Sequence, residues 1–376
     1  MLKVGVIGLG NAGNQVAELA FKSRQIPAIA INSSEKDLMN ISAIDKLLIG
    51  DQKGAGKDRT EAKKFMKNHI TALMKQEKLI KFIEDLEVIF VVSSIGGGTG
   101  SGMSPVFTEI LTKAFPSKRI VLVEIYPALS ESIAAQQNAI DYLKEVRDFL
   151  PNITFMAYDN HRFSNLPTDK MMQAVNAEIV EDIAVLRGDY QIATPFSSID
   201  EKDALRLIET PGRLCIAKAY DLKEKDLDDK SIEEILVNDL KNVSSTVELQ
   251  RDRIVKRIGL ISNLNKTLHE KLNTKLETLK SFVGEPVEGF EHIFINSTDD
   301  MQNRVISILS GLSIPDDRVQ KMLQRIQEAT EAITKVQESS ILDNINTDLI
   351  DELRKKETPE TTEEIDIEDT FSKYFK

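Results

Sequence analysis

The residues best suited to chemistry in this chain form two glycine-rich loops, each between an apolar run and a segment with helical periodicity. The first follows the G-x-G-x-x-G pattern and comprises Gly8, Leu9, Gly10, Asn11, Ala12 and Gly13, followed by Asn14. The second comprises Gly96, Gly97, Gly98, Thr99, Gly100, Ser101 and Gly102. Glycine lets backbone N–H groups approach a phosphate closely, and a helix N-terminus adds positive potential. Together the loops predict a site for a ligand with several phosphates.

A third small-residue segment lies between them and comprises Gly54, Ala55, Gly56, Lys57 and Asp58. It is not a Walker A loop, because Asp51 stands where that motif needs glycine and Asp58 where it needs serine or threonine. On its residues alone, it is equally well interpreted as a solvated surface loop or as a further phosphate loop.

The first loop alone is also typical of a dinucleotide-binding unit, in which an acid at the end of the second strand binds the ribose. Asn32 occupies that position here, followed by Ser33 and Ser34. The missing acid and the second glycine loop both oppose a nicotinamide or nucleotide-sugar enzyme, which remains the weaker alternative.

Two carboxylates, Asp200 and Asp203, precede an apolar helical stretch. Asp200 could cap that helix, and the helix dipole would favour Asp203 in its first turn. The same carboxylates could instead face outward and polarise a water molecule. The residues alone favour the cap, and the two roles are compatible.

Short apolar runs alternate with amphipathic segments through the first half of the chain. This alternation predicts an α/β fold with a Rossmann-like parallel sheet covered on both faces. The predicted strands are Lys3–Ile7, Ala28–Ile31, Val88–Ser93, Ile120–Ile125 and Ile153–Ala157. The glycine loops would then lie at the carboxyl edge of the sheet, where ligands bind in such folds.

The pattern divides the chain into five parts. We expect a nucleotide-binding domain over 1–168, a long core helix over 169–188, a smaller α+β domain over 189–312, a long C-terminal helix over 313–350 and a flexible acidic tail over 351–376. Apolar residues three and four positions apart after Asp316 predict that the C-terminal helix docks along a surface.

Composition excludes several classes of protein. Lys and Arg total 48 against 60 Asp and Glu, a net charge of −12, which opposes direct binding to nucleic acid or anionic lipid. One cysteine and four scattered histidines give no metal-binding spacing. The apolar run Val88–Val92 is too short to span a bilayer, and the first residues lack a signal-peptide pattern. We expect a cytoplasmic protein with no membrane partner.

The sequence GGGTGSG at Gly96–Gly102 resembles the signature loop of the tubulin/FtsZ superfamily, and the order of the other segments agrees over roughly residues 1–310. The resemblance implies a GTPase domain, a core helix and a smaller activation domain. It implies GTP and GDP as ligands, with Mg²⁺ carried mainly by the phosphates and water. It assigns the two glycine loops, Asn32 and Gly54–Asp58 to nucleotide loops, Pro127 and Glu131 to the ribose side, Asn160 and Asn176 to the guanine, and Met172 to a base-stacking position.

The resemblance also implies a role for Asp200 and Asp203. In this superfamily the corresponding loop enters the nucleotide pocket of the next subunit and polarises the attacking water. The chain would thus be its own partner in a head-to-tail protofilament, and polymerisation would stimulate GTP hydrolysis. A GTP-binding scaffold without hydrolysis is the alternative.

Several residues depart from the cell-division protein FtsZ. Ser198 stands where FtsZ usually has asparagine, and Ala135 stands where FtsZ has an arginine near the γ-phosphate. Lys57 or Arg59 could replace that charge. The FtsZ tail peptide is not recognisable in 351–376, and the long helix from Asp316 resembles that of TubZ and related plasmid or phage tubulins.

The resemblance to TubZ implies filaments that segregate plasmid or phage DNA. The link to DNA would run through a DNA-binding adaptor protein held by the C-terminal region. The tail could bind that adaptor or the neighbouring subunit, with Phe371, Tyr374 and Phe375 as anchors, or it could be only a solubilising extension. An FtsZ-like cell-division GTPase is the alternative.

Overall fold

The computed structural model describes residues 1–190, 201–227, 230–249, 254–272, 275–296 and 303–338. In these ranges one ten-stranded sheet has the order β3-β2-β1-β4-β5-β6-β7-β10-β8-β9. Its strands are β1 Val4–Leu9, β2 Ala28–Asn32, β3 Asp45–Leu48, β4 Val88–Ser94, β5 Arg119–Tyr126, β6 Thr154–Asp159, β7 Gly212–Ala219, β8 Val255–Leu264, β9 Pro286–Asn296 and β10 Arg304–Leu312.

Strands β3 to β7 in this order are parallel, as the sequence predicts. The second half of the sheet is mixed, because β10 runs antiparallel to both β7 and β8, while β9 runs parallel to β8. The two halves join where Thr154 and Phe155 of β6 pair with Gly212 and Arg213 of β7. The α/β fold is therefore confirmed, and the predicted smaller unit continues the same sheet.

Twelve α-helices occur in the described part of the chain. They are α1 Gly10–Arg24, α2 Glu35–Met39, α3 Arg59–Leu73, α4 Glu77–Glu84, α5 Thr99–Ala114, α6 Ile133–Phe149, α7 Thr168–Arg187, α8 Glu201–Glu209, α9 Ile232–Asn238, α10 Lys266–Glu270, α11 Glu277–Val283 and α12 Asp316–Glu338. Alternation along β1 and β4 divides the core into two layers, because odd and even residues of a strand face opposite sides. Helices α1, α7 and α8 cover one face, and α3 to α6 cover the other.

The long core helix α7 connects the two edges of the sheet. It begins at Thr168, shortly after β6 ends at the carboxyl edge. At its other end the carbonyl of Arg187 accepts a 3.0 Å hydrogen bond from the N–H of Leu2, just before β1 begins. Gly188, with φ +98°, ends the helix in a left-handed conformation. Since 20 residues of helix extend about 30 Å, α7 crosses the whole sheet.

The C-terminal helix begins at Asp316, as predicted. Val319, Met322 and Ile326 pack against the core on the α3–α6 side of the sheet. The chain separates into two compact units, Met1–Gln327 and Glu328–Lys376, and these packed residues belong to the first. The predicted tail 351–376 lies outside the described residues. No helix in the described ranges has the length and apolar character needed to cross a membrane.

Candidate functional site

The two glycine loops meet at the carboxyl ends of β1 and β4, which are neighbours in the sheet. Gly10 has φ +71°, and a Cβ atom there would lie 2.9 Å from the nitrogen of Gly100. A Cβ atom on Gly100 would lie 2.9 Å from the carbonyl oxygen of Leu9. Real Cβ atoms do not approach backbone so closely, so the loops contact each other only because both residues are glycine. We call this pair of loops the glycine cradle.

Both helices that leave the glycine cradle have uncapped N-termini. No side chain caps α1 at Leu9 or α5 at Gly98, and neither first turn holds an acid. The first N–H groups of a helix have no partner within the helix and carry partial positive charge. Two such ends at one edge of the sheet fit an anion with several phosphates.

Asn14 on α1 supports a ligand at this position. Its side chain is fully buried, and neither its amide oxygen nor its amide nitrogen has a hydrogen-bond partner among the described residues. Buried polar groups nearly always have a partner, so an orphaned amide beside the glycine cradle fits a missing ligand.

The third small-residue segment is part of the same site. The N–H of Gly54 donates to the carbonyl of Ser33, and a Cβ atom on Gly98 would lie only 2.7 Å from Cα of Lys57. Gly56 and Lys57 both have positive φ, +53° and +65°. The structure thus brings this segment against the second glycine loop.

The side chain of Asn138, on α6, hydrogen-bonds to both of these loops. This role was not predicted from the sequence. The side-chain nitrogen of Asn138 lies 3.0 Å from the carbonyl oxygen of Lys57 and 3.2 Å from those of Gly96 and Gly97. No motif marks this residue, because an asparagine in a helical segment has no signal that separates it from a surface side chain.

The Asn32 side chain forms hydrogen bonds within its own loop. This side chain is buried, and its oxygen accepts hydrogen bonds from the N–H groups of Ser33 at 2.8 Å and Ser34 at 3.3 Å. This turn brings the Ser33 hydroxyl within 2.8 Å of the Thr99 hydroxyl in the glycine cradle. Asn32 therefore shapes the loop beside the predicted phosphates.

Arg59 stabilises the second glycine loop by hydrogen bonding to its backbone. It is buried, and its Nη2 donates to the carbonyl oxygen of Ser101 at 3.0 Å and to Glu145 at 2.8 Å. That carbonyl would normally accept from the N–H of residue 105, which is proline and has none. The guanidinium replaces the missing donor. The charge of Arg59 is paired with Glu145, so it is not available to replace the arginine that FtsZ has at the position of Ala135. Of the two candidates for that replacement, only Lys57 is exposed.

The predicted ribose side is a compact turn after β5. The Glu131 carboxylate accepts from the N–H of Ala128 at 2.8 Å, and the Gln136 side chain donates to the Ala128 carbonyl at 2.8 Å. Pro127 contacts the second glycine loop, because a Cβ atom on Gly96 would lie 3.0 Å from the Pro127 ring. Ala135 is buried in α6 behind this turn.

The predicted base side follows β6. Asp159 ends the strand, and its carboxylate caps the next turn by accepting from the N–H of His161 at 2.9 Å. Asn160 begins that turn and is buried. The turn contacts α7, whose first half carries Asn176, half-buried, and Met172, which is 41% exposed.

The predicted catalytic carboxylate Asp203 is not part of this edge. Asp200 lies outside the described residues. Asp203 lies in the first turn of α8 and pairs with Arg206 at 3.2 Å. The far end of α8 lies at the amino edge, where Glu209 pairs with Arg119 at the start of β5. Asp203 is only about 9 Å along the helix from Glu209, whereas β5 extends about 23 Å to the carboxyl edge. The structure therefore keeps Asp203 away from the glycine cradle of its own chain.

In the described ranges, no three His, Cys, Asp or Glu side chains group together in a way that could hold a metal ion.

Comparison with known proteins agrees with this arrangement. Residues 3–166 match the model of the Tubulin/FtsZ family, GTPase domain. The tubulin-like protein CetZ of Pyrococcus furiosus is 26% identical over 82% of this chain and 84% of its own length. The tubulin-like protein TubZ of Clostridium botulinum C phage is 24% identical over 98% of this chain and 97% of its own length.

A solved structure of TubZ from Bacillus thuringiensis serovar israelensis, a GTPγS-form protofilament, has the same fold. Its TM-score is 0.73 at 19% identity, and the match covers 90% of this chain and 95% of that one. At this identity the likeness supports the fold alone. The family match favours a guanine nucleotide over the dinucleotide alternative.

Proposed function

We propose that this protein binds GTP in the glycine cradle and assembles head to tail into filaments that hydrolyse it, because residues 3–166 match the GTPase-domain model of the Tubulin/FtsZ family. The observation that supports the proposal is that the glycine cradle and Asp203 lie toward opposite edges of one sheet. The glycine cradle lies at the carboxyl edge, and α8 with Asp203 ends at the amino edge. A head-to-tail arrangement of identical subunits would bring these edges together.

In this proposal the glycine cradle and the segment Gly54–Lys57 hold the three phosphates of GTP. Asn14 supplies its orphaned amide, Pro127 and Glu131 face the ribose, and Asn160, Asn176 and Met172 contact the guanine. Mg²⁺ bound to the phosphates would neutralise charge in the transition state. The uncapped N-termini of α1 and α5 are suited to binding the phosphates, because they offer N–H donors and bring no competing carboxylate.

Hydrolysis would depend on the adjoining subunit. Asp200 and Asp203 would enter its neighbour's pocket, where a carboxylate accepts a hydrogen bond from the attacking water and orients it in line with the γ-phosphorus. The oxygen of water then bonds to phosphorus as the bond to the β–γ bridging oxygen breaks, giving GDP and phosphate. A lone subunit would bind GTP and turn it over slowly.

Substitution of the two predicted catalytic aspartates tests this mechanism. Asp200→Ala and Asp203→Ala should retain GTP binding, assemble into polymer and lose most polymer-stimulated phosphate release. Glu209→Gln is the matched control, because it removes a carboxylate at the other end of α8. Phosphate release at the wild-type rate from polymers of both aspartate variants would contradict the assignment. Polymer with no phosphate release even in the wild type would identify the non-hydrolysing scaffold.

For the cellular role, we propose segregation of plasmid or phage DNA in the cytoplasm. The support is the phage TubZ relative, which aligns with 98% of this chain, including its C-terminal part. CetZ relatives are of similar identity over a shorter share of the chain, so the C-terminal part is the region to test. The net charge of −12 suits an indirect link to DNA through a basic adaptor.

Deleting 351–376 separates the possible roles of the tail. We expect the shortened chain to polymerise with GTP but to lose retention of a DNA-bound adaptor in co-sedimentation with polymer. Loss of assembly itself would instead assign the tail to the contact between subunits. The boundaries 1–168, 169–188, 189–312 and 313–350 remain our proposal for the domains.

A further inference from the structure

Arg318, in the first turn of α12, forms a buried ion pair with Asp159. Both side chains are 5% exposed. Nε of Arg318 donates to one carboxylate oxygen at 2.6 Å, and Nη2 donates to the other at 3.2 Å. The same Nη2 donates to the carbonyl oxygen of Pro127 at 2.5 Å. One side chain thus joins the turns that follow β5 and β6.

These two turns are the ones that the proposed function assigns to the nucleoside part of GTP. Pro127 begins the ribose side, and Asp159 caps the turn in which Asn160 stands. The phosphate loops have other supports, namely Arg59 and Asn138. The hydrogen bonds of Arg318 therefore go to the base and ribose turns and not directly to the glycine cradle.

We infer that Arg318 is a positioning residue for the guanosine part of the nucleotide, through which the first turns of α12 are coupled to guanine selection. This inference rests on the proposed function, since it takes the turns at Pro127 and Asn160 as nucleotide loops. The chemistry requires arginine, because only its planar fork can donate to both carboxylate oxygens and a carbonyl at once.

Losing the guanidinium would leave the Asp159 carboxylate buried without a counter-charge. The carboxylate would turn toward water and release its cap on the His161 N–H, and Asn160 would lose its fixed position. Binding energy from the phosphates would persist. The expected signature is a loss of discrimination between bases, which differs from a general loss of affinity.

The test is a comparison of GTP and ATP binding by the full chain carrying Arg318→Gln. We expect GTP affinity to fall at least tenfold while the weaker ATP affinity stays within twofold, so that the preference for guanine falls about tenfold. Lys321→Gln is the matched control, since it removes an exposed cation one turn along the same helix. Equal preference in Arg318→Gln and wild type would overturn the inference, and so would a parallel loss for both nucleotides.

A second measurement uses the wild-type chain and does not depend on a variant that folds. Coupling is reciprocal, so a nucleotide that orders the two turns must also stabilise the helix that holds them. GDP should slow hydrogen exchange at least fivefold in residues 316–327 and leave α11, in the other half of the sheet, unchanged. Exchange in 316–327 that is insensitive to bound GDP would refute the coupling. If the wild-type chain bound no guanine nucleotide, the proposed function itself would fail, which is a separate outcome.

Discussion

At the scale of single residues, the glycines of the second loop differ in why they must be glycine. Gly98 has φ −83°, which any residue can adopt, yet its Cβ position is 2.7 Å from Cα of Lys57. Gly97 has only one neighbour near its Cβ position, at 3.9 Å. Close approach between two loops therefore explains why residue 98 is glycine. It does not explain glycine at position 97, for which contact with the proposed ligand is the remaining reason.

This difference predicts unequal effects on folding. Gly98→Ala should lower the free energy of unfolding by about 1–3 kcal/mol, because the new methyl group meets backbone that cannot move without separating the loops. Gly97→Ala should leave it within about 0.5 kcal/mol, since the methyl group enters open space. Urea denaturation of both variants measures the effect. Equal destabilisation by the two substitutions would contradict the contact argument.

Arg59 and Pro105 form a second residue-scale pair, because the guanidinium donates to the carbonyl that Pro105 leaves without an N–H partner. Arg59→Met should destabilise the fold by about 2 kcal/mol, since it leaves the Ser101 carbonyl without a donor, while Glu145 keeps Lys63 as a counter-charge. Adding Pro105→Ala restores an N–H donor and should recover about 1 kcal/mol.

Chemical denaturation of the two single variants and the double variant completes a mutant cycle for this pair. Additive effects of the two substitutions would show that the guanidinium does not replace the proline donor.

At the scale of elements, α7 is locked to β7 by a buried charge cluster. Nζ of Lys218 lies 2.6 Å from Asp182 and 3.4 Å from Glu178, and the Tyr158 hydroxyl donates to Asp182 at 2.8 Å. Burial raises the pKa of Asp182 to about 7 despite the lysine. Burial alone would lower the pKa of Lys218, but the two carboxylates raise it above its usual value. Lys218 thus supplies the counter-charge that stabilises the two buried carboxylates.

Lys218→Met should therefore destabilise the fold by about 3 kcal/mol at pH 8. A carboxyl whose folded pKa lies above its unfolded value of 3.8 binds more protons in the folded state, so its contribution to stability declines as pH rises through about 7. The deficit of the variant should shrink at pH 5.5, where Asp182 is mostly protonated, but a part should remain, because the lowered pKa of Glu178 keeps that carboxylate charged. Urea unfolding at the two pH values checks this, with Lys321→Met as an exposed control. A deficit that does not depend on pH would contradict it.

Elements also show what the sequence could reveal. Strands β1 and β4 were predicted within two residues of their bounds, because each is a continuous apolar run between turns. The sequence predicts a helical segment after the second glycine loop, but α5 already begins at Thr99 within that loop, since Arg59 and Asn138 stabilise a glycine-rich turn that propensity alone disfavours. Strand β10 was not predicted, although it lies at the centre of the second half of the sheet, because buried serines at 307 and 310 interrupt its apolar pattern.

The candidate site divides in the same way. Glycine spacing predicted the loops that meet at the edge of the sheet, because local motifs carry that information. Arg318 and Asn138 could not be predicted, because only the fold brings them to their partners. The partners of Arg318 lie 159 and 191 residues away in the chain, and those of Asn138 lie up to 81 residues away.

At the scale of the whole molecule, the separation of Asp203 from the glycine cradle predicts complementation between two inactive variants. One variant carries Asp200→Ala and Asp203→Ala and keeps its glycine cradle. The other carries Gly100→Ala, whose methyl group would lie 2.9 Å from the Leu9 carbonyl oxygen and force the two loops of the cradle apart. Each alone should release little phosphate, because every interface in its polymer lacks one half-site.

Mixing the two variants in equal amounts should restore phosphate release well above the sum of the separate rates. In a random head-to-tail polymer, about a quarter of the interfaces join an intact cradle to intact carboxylates. Phosphate release and the composition of sedimented polymer are measured together, and a mixture of the first variant with Glu209→Gln serves as the positive control. If the mixture releases no phosphate although its polymer contains both variants, the carboxylates and the cradle must act within one subunit, against the geometry of the sheet.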